Sequence, residues 1–146
     1  MDSNTIELFT STQTDNWQTP PDLYAKLHKE FNFDFDPCPL NSTTDGLKIN
    51  WGKRNFVNPP YSNVAGFLKK AYSELKRGRA ELVVFLTFAN TDTNWFHDYC
   101  YGDETPLDLI CDLRFIKGRL QFLNENGLTI NSAMRPSILM IFTYNK

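Results

Sequence analysis

The chain has 146 residues, 41% hydrophobic and 22% charged, enough for one globular domain with a real core. Its formal net charge of -2 and pI near 5.6 exclude a strong nonspecific grip on nucleic acid, so any such contact has to be local. No apolar run approaches the ~20 residues of a membrane helix and the first residues are not signal-like, so the expected location is cytoplasmic.

Cys38, Cys100 and Cys111 are odd in number and widely spaced, which fits reduced thiols rather than a disulfide framework. His28 and His97 have no Cys or His partner at ligand spacing, so no metal site is expected.

Residues 1–16 are rich in Ser, Thr, Asn and Gln without periodicity and are expected to form a flexible tail or lid ahead of a single domain over 17–146. Thr19-Pro20-Pro21-Asp22 reads as a helix start, with Thr19 as cap and Pro20 at the first helical position. The helix is expected to run to Phe31, with Leu23, Leu27 and Phe31 facing the core. Phe33 to Asp36 alternates Phe and Asp, which predicts a short half-buried strand ending at Asp36-Pro37-Cys38-Pro39. Asp36 at that strand's carboxyl end suits a cofactor's ammonium or hydroxyl groups, and it equally suits a turn; position alone leaves both readings open.

Residues 40–54 contain the turn signal Asp45-Gly46 and are expected as an ordered loop, and 55–57 as a strand. After Asn58-Pro59-Pro60-Tyr61 the apolar stripe Val64, Phe67, Leu68, Ala71 and Leu75 predicts a helix over 64–76, ended by Gly78. Its Lys69, Lys70 and Lys76, with Arg77 and Arg79, form a basic cluster that is more simply a solvated helix face.

The almost continuous apolar run 82–88 predicts a central strand covered on both faces. Thr91-Asp92-Thr93 caps a short helix whose Trp95, Phe96 and Tyr99 are read as core. Segments 107–116 and 120–123 read as strands flanking a Lys117-Gly118 hairpin, a basic ribbon suited to phosphate, and 137–144 reads as the last strand.

Asn58 to Tyr61 carries the chemistry. The exocyclic amine of adenine is a poor nucleophile because its lone pair is delocalised into the ring, and two acceptors aimed at its hydrogens would localise that pair. The Asn58 side-chain oxygen is one acceptor, and the carbonyl of Pro59 is another, held by the restricted backbone of Pro59-Pro60. Tyr61 supplies a face on which an extruded base can stack. Asn-Pro-Pro-Tyr can also be a mere turn, but its place between a strand and a helix favours function, because open α/β sheets bind ligands at the carboxyl ends of their strands.

These segments together resemble the phage-type DNA adenine methyltransferase family. The resemblance rests on Trp17-Gln18-Thr19-Pro20, Asp36-Pro37-Cys38, Asp45-Gly46-Leu47, Asn58 to Ser62, Thr91-Asp92-Thr93 with Trp95-Phe96-His97, and Arg114 to Leu120 with Phe122. It implies an α/β fold: a minimal Rossmann-like methyltransferase sheet with helices on both faces and an antiparallel C-terminal part. It also implies S-adenosylmethionine as cofactor, contacted by Trp17, Thr19, Pro20, Asp36, Cys38, Asp45 and Asn58, and double-stranded DNA as partner. By the same resemblance Asn58, Pro59, Pro60 and Tyr61 are catalytic, while Tyr61, Ser62, Arg114, Lys117 and Arg119 contact substrate. The protein is expected as a monomer or homodimer, since it has no room for a separate recognition domain.

The pattern departs from the family's in two places. The glycine-rich loop usual after the first strand is replaced by Asp36-Pro37-Cys38-Pro39-Leu40-Asn41, and residues 39–57 are too few for the strand and helix units that normally intervene. Asp45 is the candidate substitute for the ribose-binding acid, although it sits far closer to Asp36 than the ~20 residues a full unit would give. Two other readings compete: a catalytically silent module of the same fold that binds DNA, nucleotide or a host protein, and a methyltransferase of glutamine side-chain amides.

Overall fold

A computed structural model describes residues 18–39, 43–123 and 135–145. The tail over 1–16, Trp17 and the first residues of the loop at 40–42 lie outside the described residues.

The first helix, α1, runs from Pro21 to Phe31 and not from Pro20. Pro20 is its N-cap at φ -54 and ψ 128, and Thr19 makes no capping bond. The reason is the double proline: a residue that precedes a proline is pushed out of the helical region, so Pro20 is held extended and Pro21 becomes the first helical residue. Asn32 ends α1 in the left-handed conformation, its N–H donating to His28 O at 2.8 Å. Leu27 and Phe31 are buried and Leu23 is partly buried, as the spacing predicts.

The expected strand at 33–36 is reduced to one parallel bridge, Phe35 beside Asn55, with Asp34 N donating to Arg54 O and Phe56 N to Phe35 O. It goes no further because the Asp36 carboxylate turns back to accept from Cys38 N at 2.9 Å and Pro37 has no N–H to continue a ladder. β1 (Arg54–Val57), α2 (Val64–Lys76) and β2 (Leu82–Phe88) then form a βαβ unit, with β1 and β2 parallel from Arg54↔Leu82 to Val57↔Phe85. Asn63 caps α2 by accepting from Gly66 N, and Gly78, at φ 78, makes the turn out of it.

The sheet has the order β1-β2-β4-β3, with β3 at Leu109–Phe115 and β4 at Ser137–Tyr144. β4 lies antiparallel to both neighbours, so the antiparallel ending is present. The hairpin at Lys117-Gly118 is not. β3 pairs with β4, and among the described residues the segment 120–123 is bridged at Leu123, to Gln18. β4 is buried over six of its eight residues and offers two complete edges, whereas 120–123 is interrupted by Gln121; Phe122, 1% exposed, is a core side chain rather than part of a ribbon. The segment after Thr93 is a π-helical turn, Phe96–Cys100, with Phe96 buried and Trp95 and Tyr99 packed against the core, in keeping with the sequence.

Each face of the sheet has its own apolar layer. Val64, Phe67, Leu68, Ala71 and Leu75 of α2 pack with Trp51 and Phe96 over Val57, Val83, Phe85, Ile138, Met140 and Phe142. Leu27 and Phe31 of α1 pack with Phe33 and Phe122 over Phe56, Val84, Leu86, Leu139 and Ile141. Helices thus cover both faces, and β2 is buried on both sides, as its almost continuous apolar sequence requires.

Glu74 is a buried exception on α2. Fully shielded, it accepts from Trp51 N at 2.7 Å, pairs with Arg79, and has Lys70 at 3.6 Å. The first basic cluster is therefore partly consumed in holding α2 to the loop before β1, which agrees with its reading as a helix face.

Candidate functional site

Because β4 runs against both neighbours, β3 points the same way as β1 and β2. The carboxyl ends of Phe35, β1, β2 and β3 therefore share one edge, and the sequence-predicted residues fall along it.

Asn58 directly follows β1 and is partly exposed, with Pro59 buried behind it. Its carboxamide Nδ2 donates to Thr19 Oγ1 at 3.0 Å, and its main-chain carbonyl accepts from Cys38 Sγ at 3.2 Å. The amide nitrogen is thus turned toward Thr19 and the amide oxygen to the opposite side. Three segments distant in sequence meet at this one residue.

Asp36 stands next to Cys38 and is drawn into the same cluster. Burial pushes its carboxyl up to about 6, against a smaller downward pull from the Cys38 N–H. Burial, and then the Asp36 charge, also raise the Cys38 thiol, so it stays protonated and donates to Asn58 O. Among the described residues no Lys, Arg or His forms an ion pair with Asp36. A shielded carboxylate of this kind gains from a cationic ligand more than from water.

Tyr61 opens a short 3-10 turn, Tyr61–Asn63, that leads into α2. Its ring stacks on Phe88 at 4.5 Å between centroids and 23° between planes, and Phe88 in turn meets Phe122 edge-on at 6.4 Å. Phe88 was not singled out in the sequence, where it reads only as the last residue of an apolar strand. Ser62 is exposed beside Tyr61.

The remaining predicted residues separate into near and far. Pro20 adjoins Thr19 as the cap of α1. Pro20 and Pro21 have no N–H, so the helix's first donors are those of Asp22 and Leu23. Asp45 is exposed and bonded within its own turn, its carboxylate accepting from Leu47 N at 2.9 Å. It reaches the site only through its neighbour: a Cβ on Gly46 would lie 2.0 Å from Pro37 O, so the two loops touch backbone to backbone. Trp51 Nε1 donates to Gly46 O at 2.8 Å and keeps that loop in place.

Arg114, near the end of β3, lies on the site edge but three strand spacings from β1, about 14 Å. Its guanidinium holds both carboxylate oxygens of Glu30 on α1 and lies 5.3 Å from the Phe31 ring. Lys117 and Arg119 follow on the exposed segment around Gly118. Arg135, just before β4, adds a cation that the sequence reading missed, donating to Asn90 Oδ1 at 3.4 Å beyond the end of β2. Only strand order brings it there.

Fold and turn define a class: an α/β domain with a mixed four-stranded sheet that carries the Asn58 turn at the carboxyl edge of its parallel strands. The comparisons give the particular group. Residues 7–146 match the family model described as DNA N-6-adenine-methyltransferase (Dam), and the chain belongs to that family. A DNA N-6-adenine-methyltransferase of Haemophilus phage HP1 (strain HP1c1) is 28% identical over 142 residues, covering 88% of this chain and 78% of that protein. Another, of Escherichia phage T1, is 26% identical over 149 residues, which is 87% of this chain and 62% of the phage protein, so the chain spans under two thirds of that relative. No solved structure matches.

Proposed function

We propose that the protein methylates the exocyclic amine of adenine in double-stranded DNA, using S-adenosylmethionine as donor and a minimal Rossmann-like sheet as scaffold. The observation that carries this reading is Asn58, held at its side chain by Thr19 and at its carbonyl by Cys38, beside the Tyr61 ring and on the edge that also bears Asp36.

In this reading the target base leaves the duplex and stacks on Tyr61. Asn58 Oδ1 and the Pro59 carbonyl accept its two amine hydrogens, which draws the nitrogen's lone pair out of conjugation and toward the incoming carbon. When bound, S-adenosylmethionine would supply a methyl group on a sulfonium whose sulfur retains the electrons of the broken bond, and the proton displaced from the methylated nitrogen would pass to water. Asp36 accommodates positive charge on the donor, and Thr19, Pro20, Trp17, Cys38 and Asp45 complete its surroundings. Ser62, Arg114, Lys117 and Arg119 meet the DNA, with Arg114 exchanging Glu30 for phosphate. The protein's work is positioning and charge stabilisation, with no covalent enzyme intermediate.

The direct test is transfer of labelled methyl groups to unmethylated DNA. Asn58→Ala is expected to lose about 10²–10³ in turnover, the usual cost of removing one preorganised polar group from a reacting centre, while still binding the donor or its demethylated product by calorimetry. Absence of binding of either at near-millimolar concentration favours the silent module, and labelling of protein instead of DNA favours the amide methyltransferase.

A further inference from the structure

We infer that Thr19 is a positioning residue for methyl transfer, acting through Asn58, rather than only part of the donor's surroundings. The inference rests on the reading of Asn58 given above and adds a role for a residue on another element.

The Thr19 hydroxyl accepts from the Asn58 amide nitrogen at 3.0 Å in a partly buried bond. Since Thr19 caps nothing in α1, its hydroxyl is not occupied by the helix start. The residue is fixed on both sides. Pro20 caps the helix after it, and Gln18 before it exchanges two main-chain hydrogen bonds with Leu123, Gln18 N to Leu123 O at 2.9 Å and Leu123 N to Gln18 O at 3.1 Å. A hydroxyl on a segment held in this way is a fixed acceptor, able to set the direction of the Asn58 carboxamide.

Two effects follow for the acceptor. With Nδ2 tied to Thr19, the amide oxygen faces the opposite side, the side on which the proposed reading puts the target amine. An amide whose N–H is engaged also has a more electron-rich carbonyl, because linked hydrogen bonds polarise one another. Cys38 supplies the complementary hold on the main-chain carbonyl of the same residue, so Asn58 is fixed at both its ends.

The test uses the full chain with Thr19→Val, which keeps the shape and removes the hydroxyl, Thr19→Ser, which keeps the hydroxyl, Asn58→Ala, and the double variant. Turnover and KM are measured on unmethylated DNA, donor-product affinity by calorimetry, and thermal midpoint as a check on folding. Thr19→Val is expected to lower turnover about tenfold, with KM for DNA and affinity for the demethylated donor within about twofold, matching loss of one ordinary hydrogen bond from the reacting arrangement. Thr19→Ser is expected to recover most of that loss, and Thr19→Val is expected to add nothing once Asn58 is Ala, because the pathway it serves is gone.

The inference is overturned if Thr19→Val weakens donor-product binding tenfold while turnover at saturation is unchanged. It is also overturned if the two losses multiply in the double variant, or if Thr19→Ser is as impaired as Thr19→Val. Should Thr19→Val fail to fold, the serine variant decides, since turnover no better than Asn58→Ala with an unchanged thermal midpoint rejects the role. Full turnover in Asn58→Ala would instead overturn the underlying reading of the acceptor, and this inference with it.

Discussion

Replacing Asp36 with Asn should stabilise the protein near pH 8 and leave it almost unchanged near pH 4. In the folded chain burial raises this carboxyl from 3.8 to about 6. A raised acid means that the native state holds its proton more tightly than the unfolded chain does. The stabilisation from that proton is therefore fully present below about pH 4 and is lost as the pH rises through about 6. A shift of about two pH units corresponds to on the order of 3 kcal/mol at ~1.4 kcal/mol per unit. Asp36 retains some contact with solvent, which screens the charge, so about 1–2 kcal/mol is the expected measured effect. Asparagine keeps an oxygen for the Cys38 N–H at 2.9 Å and carries no charge, so it isolates the ionisation from the turn. Urea unfolding of both proteins near pH 4.5 and pH 8 gives the answer. The gap in favour of Asp36→Asn should open between the two conditions, and a saturating cationic donor should narrow it by favouring the ionised carboxylate. A gap of the same size at both pH values, or a variant less stable than its parent at pH 8, would show that the carboxylate is not penalised by burial.

Three further outcomes follow from the packing. Arg79→Ala should destabilise the fold by about 3 kcal/mol, because Glu74 is fully buried and would lose its closest cation; Glu74→Gln, which can still accept from Trp51 N, should cost less in the same denaturation series. Gly46→Ala should displace the loop bearing Asp36 and Cys38, since the new methyl would lie 2.0 Å from Pro37 O. About 1–3 kcal/mol of stability should be lost, and calorimetry should find weaker donor binding than for a surface Glu81→Ala control. Phe88→Ala should lower turnover and raise KM for DNA by loosening the Tyr61 ring it stacks on, and Phe88→Tyr should restore both in the same methyl-transfer assay.

The elements whose signals are local were legible from the chain. The stripe from Val64 to Leu75 and the almost continuous apolar runs in β2 and β4 marked their elements to the residue, because side-chain periodicity and burial on both faces are written within a single segment. Asn58 and Asp36 were likewise found from local grammar, a rigid turn or an acid where a strand gives out. The start of α1 was missed by one proline, although the rule that decides it is also local: Pro21 acts on Pro20.

What only the tertiary structure decided depends on which strand lies beside which. No local pattern shows that β4 inserts between β2 and β3, yet that choice cancels the hairpin at Lys117-Gly118, brings Arg135 near Asn90 and sets β3 pointing along β1. The same holds for the contacts that define Asn58. Its amide nitrogen meets a hydroxyl from the segment before α1 and its carbonyl meets a thiol from the loop after Phe35, and both partners are ordinary residues until folding brings them together. The sequence by itself determined the polar group on the Asn58 turn and the layers that bury the core, because both follow from the chemistry of neighbouring residues. The direction in which that group is held was decided by pairing between distant strands, whose energies are summed over the whole sheet and appear in no single segment.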